Sequence, residues 1–275
     1  MTDTPINVLL FGAGGRMGRH LFRIISSEGH RCLEVEARQD PDVCGALDEH
    51  LQQASMVIDF SSPEGTTLLL ERLLVRPVPC VIGTTGLSAS HQKTIDSLAE
   101  RVPLICASNF SVGLNLLLSL TAQAAGALAP ESFDVEIVEA HHRHKKDAPS
   151  GSAQVLVASV QTGRASSAGR ASSAGSASSA GSASSAGSTR KPDPVLFHGP
   201  GMTDGRPTGS IGVAAVRGGD VVGEHTVFFL GDGERIELSH RATDRVIFAN
   251  GAWRAAIWLL GQQPGRYTMK DVLGL

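Results

Sequence analysis

The sequence has no excess of positive charge: 24 Lys and Arg stand against 27 Asp and Glu, for a formal net charge of -3. A chain whose main partner is nucleic acid carries a clear basic surplus, so that class is excluded. Cysteine is sparse. Cys32, Cys44, Cys80 and Cys106 form no C-x-x-C pair and no metal-ligand spacing. They read as small buried hydrophobes in a reducing compartment. Long apolar runs are missing too, since none approaches the ~18 residues that a bilayer span needs. The opening MTDTPINVLLFGAGG lacks the basic n-region and long apolar core of a secretory signal. A cytoplasmic protein with no membrane attachment is expected. Aromatics make up only 4%, but 41% hydrophobic and 19% charged residues are an ordinary globular composition.

What is present begins with an alternation. At 275 residues the chain has room for one large domain or two medium ones. Short apolar runs at 6–11, 32–37, 55–60, 79–83 and 102–107 read as buried strands. Helical patterns separate several of them: Met17, Leu21, Ile24 and Ile25 recur at helical spacing, and 66–75 and 88–101 carry further helices. The alternation predicts a doubly wound parallel sheet of Rossmann type.

Beyond Val112 the pattern changes. A long apolar helix is predicted over 112–129, a half-buried strand over 133–140, and strands over 209–217, 220–230 and 234–242. Gly-Gly-Asp and Gly-Asp-Gly between the last three predict hairpins and an antiparallel or mixed sheet. An amphipathic helix at 248–260 closes the chain. The predicted division is a dinucleotide-binding domain of residues 1–112 plus 243–275, with an inserted α+β mixed-sheet domain over 113–242 for substrate binding and oligomerisation. Inside the insertion, 164–187 repeats a six-residue Ala-Ser-Gly unit four times, part of a low-complexity stretch at about 163–189. With alanine as its only apolar residue it buries too little to offset chain ordering, so a flexible surface loop is predicted.

FGAGGRMG (11–18) lies between the first strand and its helix, where a pyrophosphate-binding turn belongs. Glycines there permit a tight turn and close phosphate approach, and the helix N-terminus adds free N–H groups and positive potential. Gly12, Gly15 and Gly18 are spaced G-x-x-G-x-x-G, with Met17 where the commoner fingerprint has glycine. At the end of the second strand an acid binds the ribose hydroxyls of NAD, whereas an arginine accommodates the phosphate of NADP. Glu36 and Arg38 offer one of each, and Arg16 is a further phosphate contact. The balance leans towards NADPH while leaving NADH open. GTTG (83–86) and SNFSVG (108–113) each follow a parallel strand, where this fold gathers ligand contacts.

The densest chemistry is EAHHRHKKDAPSGSA (139–153), with three histidines, an arginine and two lysines in six consecutive positions. No Cys, Asp or Glu at ligand spacing completes a metal set, and Lys145 and Lys146 repel a cation, so no metal is expected. Ser150 can cap a helix whose amides at Gly151, Ser152 and Ala153 remain free for a carboxylate. Lys145, His142 and Arg143 add positive charge beside it. Histidine and lysine are also proton donors near neutral pH when a neighbour tunes them. A redox-sensing protein would need a DNA- or partner-binding module, and no basic helix supplies one.

These residues carry a resemblance. EAHHRHKKDAPSGSA, VLLFGAGGRMGR, DFSSPEGT, VIGTTG, SNFSVGLN, GSIGVAAVRGGDVVGEHT and FANGAWRAAIWL are together similar to the dihydrodipicolinate reductase family of the diaminopimelate and lysine pathway. The resemblance implies an NADPH- or NADH-dependent reductase of a cyclic unsaturated dicarboxylic imine, a Rossmann-type domain, a mixed-sheet domain and a homotetramer. It implies His141 as catalytic acid/base and Lys145 as proton donor, with His142 binding substrate and Ser150, Gly151 and Ser152 holding a substrate carboxylate. Ser152 stands where the family usually has threonine and keeps the hydroxyl. By the same resemblance Gly12, Ala13, Gly14, Gly15, Arg16 and Met17, then Gly83, Thr84 and Thr85, then Ser108, Asn109, Phe110 and Ser111, contact the cofactor.

Overall fold

The computed structural model describes residues 4–37, 41–174, 193–197 and 205–275. The chain divides into two compact units, one of Met1–Asn115 with Arg245–Leu275 and the other of Leu116–Asp244.

In unit 1, β1 (Asn7–Phe11) shows why the apolar runs become central strands. Val8 and Leu10 enter one hydrophobic cluster, Leu9 and Phe11 the other, and all four are fully buried. A strand covered on both faces needs apolar residues at every position. The sheet is wholly parallel, in the order β2 (Arg31–Val35), β1, β3 (Met56–Asp59), β4 (Cys80–Ile82), β5 (Pro103–Cys106), β11 (Gly265–Tyr267). One face is covered by α1 (Arg16–Ser27) through Leu21 and Ile25 and by α7 (Val246–Leu259) through Ala252 and Trp253, with α8 (Met269–Leu273) adding Val272. The other is covered by α2 (Pro41–Gln53), α3 (Pro63–Val75) and α4 (Ala89–Ala99), through Leu47, Leu69 and Ile95. From β1 the chain winds one way to β2 and the other way to β3. The carboxyl ends of β1 and β3 therefore flank the crevice where such sheets bind ligands.

Unit 2 is a mixed sheet in the order β10 (Glu234–Ala242), β9 (Gly223–Gly231), β6 (Phe133–His141), β8 (Ile211–Arg217), β7 (Val195–Phe197). Alternation along β6 buries Val135, Ile137, Glu139 and His141 on one face. On that face α6 (Gly151–Ala174) packs against β6, with Ala153, Leu156 and Val160 fully buried. α5 (Val112–Ala127) meets α6 through small residues, since a Cβ on Gly163 would overlap the Ala122 carbonyl oxygen.

Three expectations need correction. Gly-Gly-Asp at 218–220 does not make a hairpin: β8 is parallel to β6 and β7, and β6 separates it from β9. Only the Gly-Asp-Gly turn joins an antiparallel neighbouring pair, β9 and β10. The repeat is not a loop from its first residue, because α6 runs through to Ala174. Extending an existing helix avoids the nucleation cost, alanine is the best helix former, and serine costs little. Arg164 at its start is only 2% exposed and donates to Asp193 and to the Gly209 carbonyl. The remainder of the repeat, 175–187, lies outside the described residues. Of the cysteines only Cys80 is fully buried, Cys32, Cys44 and Cys106 being half-buried.

The close approach of α7 to the β5–α5 connection gives a test. A Cβ on Gly251 would overlap the Phe110 carbonyl oxygen. Gly251→Ala is expected to destabilise the protein by about 1–3 kcal/mol, overpacking outweighing the gain in helix propensity. A urea midpoint at or above that of the parent would contradict this packing.

Candidate active site

Two constellations lie where the sequence places its chemistry, one in each unit. In unit 1 the turn Gly12–Gly15 follows β1. Gly12 has φ +84°, and a Cβ there would stand 2.7 Å from the Phe60 carbonyl oxygen. Gly15 is the N-cap of α1 and provides no side-chain cap, so the amides of Arg16 and Met17 keep the open valence of a helix start. A Cβ on Gly18 would overlap the Ala13 carbonyl, which is why α1 can begin so close to the turn. Ala13 is buried, while Gly14, Gly15 and Arg16 are exposed. The exposed Glu36 follows β2 with its carboxylate over Gly14, where a Cβ would overlap it. Arg38 lies outside the described residues. A bare turn, open amides and an acid beside them fit a dinucleotide.

A cleft of about 220 Å³ is lined by Met17, Phe60, Gly83, Ser108, Asn109, Phe110 and Phe248. Phe60 lies over Gly83, and its ring stands 5.7 Å from that of Phe110. Asn109 accepts the Ser111 amide at 2.8 Å, and Ser111 accepts the amide of Leu114 as the cap of α5. Thr84 and Thr85 diverge: Thr85 is exposed, whereas the Thr84 hydroxyl turns inward to Asp59 at 3.1 Å. Asp59, fully buried at the end of β3, also accepts from Ser61 Oγ and Thr66 Oγ1, each at 2.5 Å. Burial pushes its carboxyl above the ordinary value, against the opposing pull of those donors. This clamp on the β3–α3 and β4–α4 connections was not read from the sequence, where Asp59 is one polar residue ending an apolar run.

In unit 2 the centre is Glu139, fully buried. Arg217 donates to both its oxygens, at 2.8 and 2.7 Å. His141 Nδ1 is 2.5 Å from Oε2, and the Ser150 amide donates to Oε1 at 3.0 Å. Burial alone would raise the Glu139 carboxyl, but Arg217, His141 and Ser150 outweigh it and hold it below the ordinary carboxylate value. Arg217 also donates to the Asp147 carbonyl at 2.7 Å. Lys145 pairs with the Asp147 carboxylate at 2.8 Å, and that hydrogen bond is the main reason the Asp147 carboxyl is lowered. His142 is half-buried, its ring 6.3 Å from that of His144.

Ser150 caps α6 by accepting the Ala153 amide at 3.2 Å. This corrects the expectation of three free amides: the cap occupies Ala153 and leaves the first turn open at Gly151 and Ser152. Ser150 Oγ is also 3.2 Å from His225 Nε2. The His225 ring stands 5.2 Å from that of His141 and lies on the same face of the sheet. Glu139, Arg217 and His225 were missed as site residues. Glu139 stands at the head of the histidine stretch, but its partner Arg217 is 78 residues away, and no local pattern links them. Among the described residues no group of three or more His, Cys, Asp or Glu is placed to hold a metal ion.

A parallel sheet with a dinucleotide turn, joined in one chain to a unit built around a buried histidine–carboxylate pair, defines a pyridine-nucleotide oxidoreductase. The chain belongs to the dihydrodipicolinate reductase family: the family's N-terminal description matches residues 6–110 and its C-terminal description residues 113–273. It is 40% identical over 270 residues to the 4-hydroxy-tetrahydrodipicolinate reductase of Akkermansia muciniphila, covering 98% of each chain. It is also 40% identical over 275 residues to the reductase of the same name from Zymomonas mobilis, covering 99% of each. A dipicolinate-bound dihydrodipicolinate reductase from a Paenisporosarcina species shares the fold, with TM-score 0.70 at 21% identity over 98% of this chain and 99% of that one.

His225 gives a pH test. Burial first, then the neighbouring His141, lowers its pKa from 6.5 to about 4. A histidine kept neutral in the fold contributes stability that is complete above 6.5 and is lost as the pH falls towards 4. The gap corresponds to about 3 kcal/mol. His225→Gln is therefore expected to flatten the fall of Tm across that window, and a slope equal to the parent's would contradict the assignment.

Proposed function

We propose that this protein catalyses the NADPH- or NADH-dependent reduction of 4-hydroxy-tetrahydrodipicolinate to tetrahydrodipicolinate, in the biosynthesis of diaminopimelate and lysine. In that reaction the substrate gains a hydride and a proton, and its 4-hydroxyl is lost as water. The reduced nicotinamide, when bound, supplies a hydride. In unit 1 the residues from Gly12 to Met17 receive the pyrophosphate on open amides. Glu36 and Arg38 take the ribose and its phosphate. Gly83, Thr84, Thr85 and the residues from Ser108 to Ser111 border the nicotinamide.

In unit 2 the first turn of α6, with Ser150, Gly151 and Ser152, seats a carboxylate of the small dicarboxylate substrate, and His142 contributes to its binding. Fixing the ring in this way supplies rate through positioning. His141 or Lys145 gives the proton that completes reduction of the conjugated ring. The observation that carries this reading is the His141–Glu139 bond of 2.5 Å in the same unit as the capped start of α6. A proton-transfer group and a carboxylate seat are what a dicarboxylic imine requires.

Self-association as a homotetramer is part of the same reading. The face of the unit 2 sheet opposite α6 carries Val138, Phe228, Leu230 and Val216, the last 52% exposed. The same face also carries Glu136, Glu224, Glu237 and Arg241, and a mixed apolar and charged face of this kind suits a second copy of the chain. We place the protein in the cytoplasm, with neither nucleic acid nor membrane as a partner. Among the described residues no helix is long and apolar enough to cross a bilayer.

The test is loss of reduced-nicotinamide absorbance with 4-hydroxy-tetrahydrodipicolinate. His141→Ala is expected to lower kcat by about 10²–10⁴-fold with little change in the cofactor KM. Lys145→Ala is expected to lower kcat and raise the substrate KM. Unchanged turnover in both variants would overturn the assignment.

A further inference from the structure

We infer that Glu139 is the positioning residue of the site: one buried carboxylate sets the proton-exchanging nitrogen of His141 and also fixes the start of the helix that receives the substrate carboxylate. The inference rests on the reading of His141 and α6 given above.

The argument begins with the two oxygens. Glu139 Oε2 faces His141 Nδ1 at 2.5 Å, so an ionised carboxylate there accepts the Nδ1 proton. That choice leaves Nε2 as the atom that takes up or releases a proton. Gly223 lies against that nitrogen, and a Cβ at that position would stand 3.0 Å from it. Glu139 Oε1 holds the Ser150 amide at 3.0 Å, and Ser150 in turn caps α6 through Ala153 at 3.2 Å.

The carboxylate cannot rotate to serve only one of these partners. Arg217 grips both oxygens in a fork, and its bond to the Asp147 carbonyl ties in the connection that carries Lys145. His225 Nε2, 3.2 Å from Ser150 Oγ, adds a contact to the cap. Position and tautomer of the acid/base group and placement of the carboxylate seat thus share one anchor.

A double-mutant cycle on the full-length enzyme tests this. Glu139→Gln keeps the shape but cannot accept at both oxygens, and it is expected to lower kcat by about 10²-fold while leaving the cofactor KM unchanged. If Glu139 acts on proton transfer through His141, kcat of the Glu139→Gln, His141→Ala double variant at saturating substrate stays within about 2-fold of that of His141→Ala alone, while the substrate KM rises further because the start of α6 is released. A residue with only a structural role would add its own loss to that of His141→Ala. Additive losses, or full turnover in Glu139→Gln, overturn the inference. Full turnover in His141→Ala instead removes the acid/base assignment on which it rests, so the two failures are distinguishable. Should Glu139→Gln not fold, Gly223→Ala decides: crowding Nε2 is expected to cost at least about 10-fold in kcat at unchanged cofactor KM, and unchanged turnover would refute the role of that nitrogen.

Discussion

A fully buried carboxylate is costly unless every lone pair is met, and Glu139 meets its demand with one guanidinium fork, one imidazole and one backbone amide. That requirement organises unit 2. It holds β6 to β8 through Arg217, it holds the turn after β6 through the Asp147 carbonyl, and it holds α6 through Ser150. Removing one partner from a buried pair of this kind typically costs about 3–5 kcal/mol, because the remaining charge is stranded. The site and the fold of this unit therefore rest on the same bonds. The nearby His225 stays neutral through burial, so it supports the cap without competing for the carboxylate.

Unit 1 uses a related device with a different electrical result. Asp59 ends β3, is also fully buried, and also gathers the loops that follow, but its donors are hydroxyls and an amide from Ser61, Thr66 and Thr84. Among the described residues no cation pairs with it, and burial raises its carboxyl. With Arg217 against it, the Glu139 carboxyl is lowered. The contrast separates the two networks: hydroxyls and an amide gather the loops at Asp59, whereas a guanidinium, an imidazole and an amide gather β6, β8 and α6 at Glu139.

Much of the parallel sheet was legible because strands buried on both faces leave unbroken apolar runs, as β1 and β3 do. α2 was not, since Pro41, Gly45 and a mixed polar stretch give only a weak helical stripe, and β11 is three residues held by β5. The glycine turn and the histidine stretch were legible as local chemistry. The hairpin expected after β8 failed because a glycine turn says where the chain bends and not which strand it returns to. The fork from Arg217 and the cap contact from His225 depend on strand register, which brings residues 75 or more positions apart to one carboxylate and one serine. Arg164 shows the same limit in reverse, a buried anchor hidden at the head of a low-complexity repeat.

The account depends most on which nitrogen of His141 carries the proton. Isotope-labelled histidine NMR of the intact protein, with His141 assigned by comparison with His141→Ala, reads this directly. The neutral ring is expected to be protonated at Nδ1, towards Glu139, with Nε2 bare. A neutral His141 protonated at Nε2 would contradict the account, because Glu139 would then not be the group that sets the ring for proton transfer.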